Sequence, residues 1–271
     1  ELHPFKDHPF RVVDDDRMME TVESVKAYGV LVPAIARPLG DGGYEIVAGH
    51  RRKRACELAG KKTIPAIVRE LDDDAAIIFM VDSNLQRENI LPSERAAAYK
   101  MKLEALKRQG ARTDLTSAQV VPKLSAREKV AEEAGVNRME VTRYIRLTEL
   151  QPELQQMVDE KKMAFTPAVE ISYLKPDEQR MLLDTISSEQ ATPSLSQAQR
   201  LKKLSQSGEL TDDSMLSIMS EQKKPERNDL TIPADVLEKF FPRSFTPMKM
   251  QEVIIKLLES WQRKRQQSRE R

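Results

Sequence analysis

The chain has 271 residues, 39% of them hydrophobic, 32% charged and 5% aromatic. At about 150 residues per domain this is nearly two average domains, which argues against one compact core and fits helix-rich modules with small cores. Forty-four Lys and Arg against 43 Asp and Glu give a net charge of +1, so only local clustering can point to a polyanionic partner.

No apolar run reaches the roughly 18 residues that cross a bilayer, so no membrane span is expected. The start, ELHPFKDHPF, lacks the basic and apolar regions of a signal peptide, and a single cysteine cannot form an internal disulfide. A cytoplasmic, reducing setting is the expectation. The first residue is Glu1 rather than a methionine, which leaves room for an upstream segment.

The first hundred residues read as α/β. A helix is predicted from about Asp15 to Tyr28, closed by Gly29. Strand-like pieces follow at Val30 to Arg37, Tyr44 to Val47 and Ile64 to Arg69, with Asp41-Gly42-Gly43 as the turn between the first two. Short helices are predicted at about Arg52 to Leu58 and Asp74 to Val81. A longer one runs from Ser93 to Gln109, opened by Pro92 and Ser93 and closed by Gly110.

Ala111 to Leu124 loses helical period and reads as a linker. From Ser125 to about Ile186 the pattern is of short helices broken at Pro and Gly. Ser187 to Ser196 and Lys223 to Asp229 are polar and Pro-punctuated, the two further breaks in the chain. The last segment reads as a strand at Leu230 to Ile232, a short helix from Ala234 to Phe240, and an amphipathic helix from Pro247 to Trp261.

These breaks divide the chain into an α/β domain (1–110), a linker (111–124), an all-α domain (125–222) and a small module (223–271). In the module, Met250, Val253, Ile254, Leu257, Leu258 and Trp261 recur at helical spacing, a stripe large enough that self-association would bury it. Its tail, Gln262 to Arg271, has five basic residues and one acid. That is a solvated face or a phosphate-binding arm.

Two motifs carry chemistry. In KVAEEAGVNRMEVTRYIRL, Lys129 to Leu147, Ala131 is small enough for two helices to cross and Gly135 tolerates the positive φ of a tight turn. Val136, Val141 and Ile145 face inward. This spacing fits a helix-turn-helix, with a plain helical hairpin as the alternative. A second helix starting near Asn137 presents Asn137, Arg138, Thr142, Arg143 and Arg146, side chains suited to phosphates and base edges.

In YEIVAGHRRKRA, Tyr44 to Ala55, a strand runs through Gly49 into a basic helix start, which fits a polyphosphate cradle or a solvated basic helix. No Walker A sequence occurs. Further on, DSNLQRENILP places Asn84 and Arg87 three residues apart. An amide oxygen there suits a hard cation and the guanidinium suits a phosphate, unless the pair simply caps a helix.

The order of these motifs resembles the ParB partition-protein family over roughly Leu2 to Ile186. HPFR, His8 to Arg11, is similar to the family's Pro-x-Arg element, and Ser24 lies near the end of the helix that follows. GHRRKRA, Gly49 to Ala55, is similar to its G-E-R-R-x-R-A box, and SNLQRENILPSE, Ser83 to Glu94, to its E-N-L-Q-R box. The helix-turn-helix comes next, as it does in the family.

The resemblance implies a ParB/sulfiredoxin-like domain that binds CTP and Mg2+, a helix-turn-helix domain that docks on a palindromic centromere-like DNA site, and a carboxy-terminal dimerisation module. Together they would form a homodimeric, CTP-dependent clamp for chromosome, plasmid or mobile-element segregation, associated with the nucleoid and served by a ParA-type ATPase. Carried over, Gly49, Arg51 and Arg52 would hold the triphosphate, Asn84 the magnesium, and Arg87 a phosphate. Arg11, His50 and Ser83 complete the expected nucleotide site.

Two positions depart from the pattern. His50 and Ser83 stand where the family has glutamates implicated in hydrolysis, so at most a slow CTPase is expected unless Asp82 substitutes. A sulfiredoxin-like reductase would need a cysteine where Gly49 stands, and Cys56 reads as a small core residue. A plain helix-turn-helix regulator, or a nucleoid-occlusion relative, shares the DNA-binding reading without CTP-driven sliding.

Overall fold

The computed structural model describes residues 1–40, 42–87, 89–114, 124–221, 234–237, 240–242 and 245–267. Two compact units are present, 1–222 and 223–271.

The first unit begins with a four-stranded sheet of β1 (Leu2–His3), β2 (Ala34–Pro38), β3 (Tyr44–Ala48) and β4 (Ala66–Val68), in the order β1-β3-β2-β4. β2 and β3 form an antiparallel hairpin, whereas β1 pairs parallel to β3 and β4 parallel to β2. The hairpin turn uses positive φ at Gly42 and Gly43, and Asp41 lies outside the described residues. β1 has no counterpart in the elements expected from the periodicity.

Helix α1 (Asp16–Tyr28) starts where Asp15 accepts a bond from the Met18 amide at 2.8 Å and stops at Gly29, φ +72°. It packs Met18, Val22 and Val25 on Ala55 and Cys56 of α2 (His50–Leu58). Cys56 is thus a buried core residue, and burial pushes its thiol upward from the ordinary value. Helix α3 (Asp73–Leu85) runs four residues past its expected end, so Ser83 and Asn84 sit in its last turn.

The next helix, α4 (Pro92–Asp114), does not stop at Gly110 and takes in the first four residues of the expected linker. A mid-helix glycine costs about 1 kcal/mol, and packing offsets it: α4 lies along α3, and Arg108 reaches the buried Asp74 at 2.7 Å. Positions 115–123 lie outside the described residues. α4 also packs on α5 (Ala126–Glu133), α6 (Arg138–Arg146) and α7 (Pro152–Asp159), so one helix serves both the sheet domain and the helical domain. At its centre Lys102 is fully buried, its ammonium shared between Asp82 of α3 and, at 2.5 Å, Glu133 of α5.

A 3₁₀ turn at Leu147–Glu149 leads into the rest of the bundle, with α8 (Phe165–Ile171), α9 (Pro176–Glu189), α10 (Leu195–Ser207) and α11 (Asp212–Met219). Its core includes Leu147, Leu154, Met163, Ile171, Leu182, Leu201 and Met215. The break expected at Ser187 to Ser196 is shorter than its composition indicated. Ser187–Glu189 complete α9, whose face buries Leu182 and Ile186, and α10 starts at Leu195 behind a Ser194 capping box.

The second unit contains α12 (Ala234–Leu237) and α13 (Pro247–Gln267), and positions 238 and 239 of the expected short helix lie outside the described residues. The expected strand at Leu230 to Ile232 and the break at Lys223 to Asp229 lie outside the described residues. On α13, Leu257, Leu258 and Trp261 are each more than half exposed, an apolar face of the kind that soluble single chains seldom leave open. The side chains of the basic tail beyond Gln262 lie outside the described residues.

Candidate nucleotide and DNA interfaces

β3 ends at Ala48 and Gly49 turns the chain into α2 in a left-handed conformation, φ +109°. A Cβ here would lie 3.1 Å from the Ala34 Cβ and 3.2 Å from its Cα. The need for glycine is therefore set by contact with strand β2 as well as by the backbone angle, and not by the polyphosphate cradle alone.

Beyond that turn lies a cavity of about 600 Å³ lined by Phe10, Arg11, Asp15, Arg17, Arg51, Arg87 and Glu94, among others. Arg51 contacts Asp15 at 3.3 Å, and Glu94 accepts from the amides of Arg11 at 2.8 Å and Leu91 at 3.3 Å. Partial desolvation, and then the charge of Arg51, hold Arg87 below its ordinary pKa. Four guanidinium groups around two carboxylates leave an excess of cationic donors, the electrostatics of an anion site.

Of the eight residues expected at the nucleotide, Arg11, Arg51 and Arg87 meet at this cavity, and Gly49, His50, Arg52, Ser83 and Asn84 do not line it. Arg52 donates to the carbonyls of Val32 and, at 2.6 Å, Pro33, which draws its guanidinium toward the segment before β2. Ser83 bonds back to the Met80 carbonyl at 2.9 Å and lines a different cavity with Asp82, Gln86 and Gln109. His50 is packed against His8, ring centroids 3.9 Å apart. Burial first, then the charges of His8, Arg87 and Lys53, lower the His50 pKa to about 3, so its imidazole is neutral.

Asn84 is buried. Its amide nitrogen donates to the Met80 carbonyl at 2.8 Å, and its Oδ1 has no hydrogen-bond partner. Among the described residues no group of three or more His, Cys, Asp or Glu could hold a metal ion. Asp82 is not free to replace a lost glutamate, because it is engaged by Lys102. Sequence reasoning missed Arg17, Asp15, Glu94 and His8. His8 stood in the quoted HPFR element, where only its arginine was assigned a role.

The helix-turn-helix is built as its sterics require. Val130 and Ala131 of α5 are buried with Val141 of α6, and Gly135 adopts φ +66° in the turn between the helices. Asn137 is the N-cap of α6, accepting from the Glu140 amide at 2.8 Å. Arg138 is exposed and touches Glu128 at 3.4 Å, and Thr142 bonds back to the Arg138 carbonyl at 3.0 Å.

The other two arginines lean on α8 and the turn after it. Arg143 donates to Thr166 at 2.9 Å and lies over Phe165, while Arg146 bonds Ser172 and stacks 4.1 Å above Tyr173. The exposed end of the helix is therefore Arg138, beside the exposed Met139. The two later arginines are pre-oriented by aromatic rings.

The family model described as ParB N-terminal domain matches residues 1–85, and that described as ParB HTH domain matches residues 118–203. A probable chromosome-partitioning protein ParB of Coxiella burnetii (strain RSA 493 / Nine Mile phase I) is 34% identical over 159 residues, which is 59% of this chain and 49% of that protein. The chain spans about half the length of the curated relatives it matches.

Among solved structures, the C-terminally truncated chromosome-partitioning protein ParB from Caulobacter crescentus complexed to the centromeric parS site is 27% identical. It has a TM-score of 0.45 and covers 74% of this chain and 95% of that one. The same protein complexed with CTP-gamma-S is 30% identical, with a TM-score of 0.30 and coverage of 66% and 91%.

Proposed function

The chain belongs to the ParB family of partition proteins, and on that premise we propose that it is a nucleotide-dependent DNA clamp that loads at a palindromic centromere-like site. The observation that carries this reading is the convergence of Arg11, Arg51 and Arg87 on one cavity, in a domain joined to the helix-turn-helix through the shared helix α4. CTP is the nucleotide, its phosphates held by those three guanidinium groups. Arg51 exchanges Asp15 for phosphate as it binds.

Magnesium neutralises phosphate charge when bound. The partnerless Oδ1 of Asn84 is the neutral oxygen that would hold it. At the two positions where the resemblance expects glutamates stand a neutral His50 and Ser83, and the neighbouring Asp82 is engaged by Lys102, so CTP turnover is slow.

On DNA, Arg138 reads or braces the site from the exposed start of α6, with Arg143 and Arg146 behind it. Two copies associate through the exposed face of α13, and a Leu257→Asp variant that stays dimeric in sedimentation would refute that contact. A ParA-type ATPase partner and a place on the nucleoid in the cytoplasm complete the reading.

Calorimetric titration of the full chain with CTP, UTP, ATP and GTP, with and without palindromic DNA, tests it. CTP should bind selectively and DNA should alter its affinity. Binding of DNA with no response to any nucleotide would leave a plain helix-turn-helix regulator. The buried Cys56, with Gly49 at the position a reductase nucleophile would need, supports neither redox chemistry nor thiolate attack.

A further inference from the structure

Two imidazole nitrogens behind the arginine cavity are buried without a hydrogen-bond partner, His8 Nε2 and His50 Nε2. A buried polar atom left unpaired costs about 1–3 kcal/mol, so two in rings 3.9 Å apart call for a ligand. The state of His8 is fixed by its other nitrogen. Nδ1 lies 2.7 Å from the Phe10 carbonyl oxygen, which can only accept, so Nδ1 carries the proton and Nε2 presents a lone pair.

A lone pair repels a phosphate oxygen and welcomes an uncharged O–H or N–H. The pair adjoins the cavity through Phe10, whose ring packs on His8 and also lines the cavity wall. The charged groups facing it are Arg87 from the loop after α3 and Lys53 from α2, both cationic. Of the carboxylates at the cavity mouth, Asp15 contacts Arg51 and Glu94 accepts from the Arg11 and Leu91 amides. Cations beside the pair disfavour both a protonated imidazole and a metal ion, which leaves a neutral donor as the fitting partner.

We propose that His8, with His50 beside it, accepts a hydrogen bond from an uncharged donor of the bound nucleotide, while the arginines hold the phosphates. This rests on the nucleotide reading above and adds to it a selectivity device, in which the phosphate-bearing ligand must also carry a hydroxyl or amino donor. Two parts of CTP supply that chemistry, the ribose hydroxyls and the exocyclic amine of the base. A site whose buried acceptor is left unpaired by an analogue discriminates strongly against it.

The test is titration of the full chain with CTP, dCTP, 2′,3′-dideoxy-CTP, UTP and inorganic triphosphate, repeated on His8→Phe, His8→Gln and His50→Phe. The unsubstituted chain should prefer CTP at least tenfold over one of the analogues, the deoxy forms if the sugar is read or UTP if the base is read. His8→Phe should erase that preference while changing inorganic triphosphate affinity less than twofold, and His8→Gln, which restores an acceptor oxygen, should recover part of it.

A preference unchanged in both Phe variants overturns the inference. So does a CTP affinity that rises tenfold from pH 8 to pH 6 only when the histidines are present, since that would put phosphate on protonated rings. A Co2+ absorption spectrum lost in both Phe variants would make the pair a metal site instead. Failure of the underlying reading is distinct: neither nucleotide nor inorganic triphosphate would bind the unsubstituted chain.

Discussion

The arginine cavity and the helical bundle handle buried polarity in opposite ways. In the bundle, Gln179 is 1% exposed with its whole amide in use, donating to the Glu149 and Leu174 carbonyls at 3.1 Å each and accepting from the Gln151 amide at 2.8 Å. Gln197 likewise joins Ile218 to Ser194. In the sheet domain, His8, His50 and Asn84 keep unpaired atoms, and Arg87 at the cavity sits in the field of Arg51. Buried polarity that is satisfied holds a scaffold in one shape, and buried polarity that is not satisfied waits for something from outside.

The largest expected effect sets the two regions side by side. Gln179→Leu should cost about 3 kcal/mol in urea denaturation, because it strands two carbonyls and an amide in the core. Asn84→Leu, whose oxygen has no partner to lose, should cost less than about 1 kcal/mol while weakening CTP binding in magnesium. Equal losses would dissolve the contrast.

Next in size is the response to acid. The His50 pKa is about 3 against an ordinary 6.5, so between those values the unfolded chain binds a proton that the folded chain refuses. Stability therefore falls as the pH drops. From pH 7.5 to pH 5 the loss should be about 2 kcal/mol at 1.36 kcal/mol per unit, with His8, also lowered by burial, acting in the same direction. His50→Phe should flatten the pH profile measured by thermal unfolding, and bound nucleotide should leave its sign unchanged.

The smallest concerns DNA. Arg138→Ala should weaken specific binding by about 1–2 kcal/mol without altering the melting temperature, as befits an exposed side chain with one long ion pair. Arg146→Ala should lower both DNA affinity and stability, since it also removes the bonds to Ser172 and the stack on Tyr173. Electrophoretic mobility shifts alongside thermal melts separate the two, and identical behaviour would mean that packing against Tyr173 contributes nothing.

The helix-turn-helix was legible in the sequence because its requirements are local and steric. A small residue at Ala131, a positive φ at Gly135 and an apolar Val141 have few other uses at that spacing. The ordered boxes of the first domain were legible by resemblance, and three of their arginines do share a cavity. What escaped depends on contacts distant in the chain. Arg52 turns toward carbonyls some twenty positions earlier, and His8 meets His50 across the sheet domain. Gly110 and Ser187–Glu189 were misjudged because residue preference spoke for a break while packing on α3 and on the bundle core decided for helix.

The buried Lys102 has a consequence for heat and salt. Its ammonium is buried and ties α3 to α5 through the half-exposed Asp82 and Glu133, so these pairs are screened less by dissolved ions than pairs with both partners at the surface. Raising the ionic strength should loosen the exposed ion pairs well before this joint. Warming lowers the cost of keeping charges out of water, so the joint weakens less on heating than apolar packing theory alone would give. A chain warmed in concentrated salt should lose its surface pairs first and keep this joint, together with the packing of α4 on α5 and α6, until the cooperative transition.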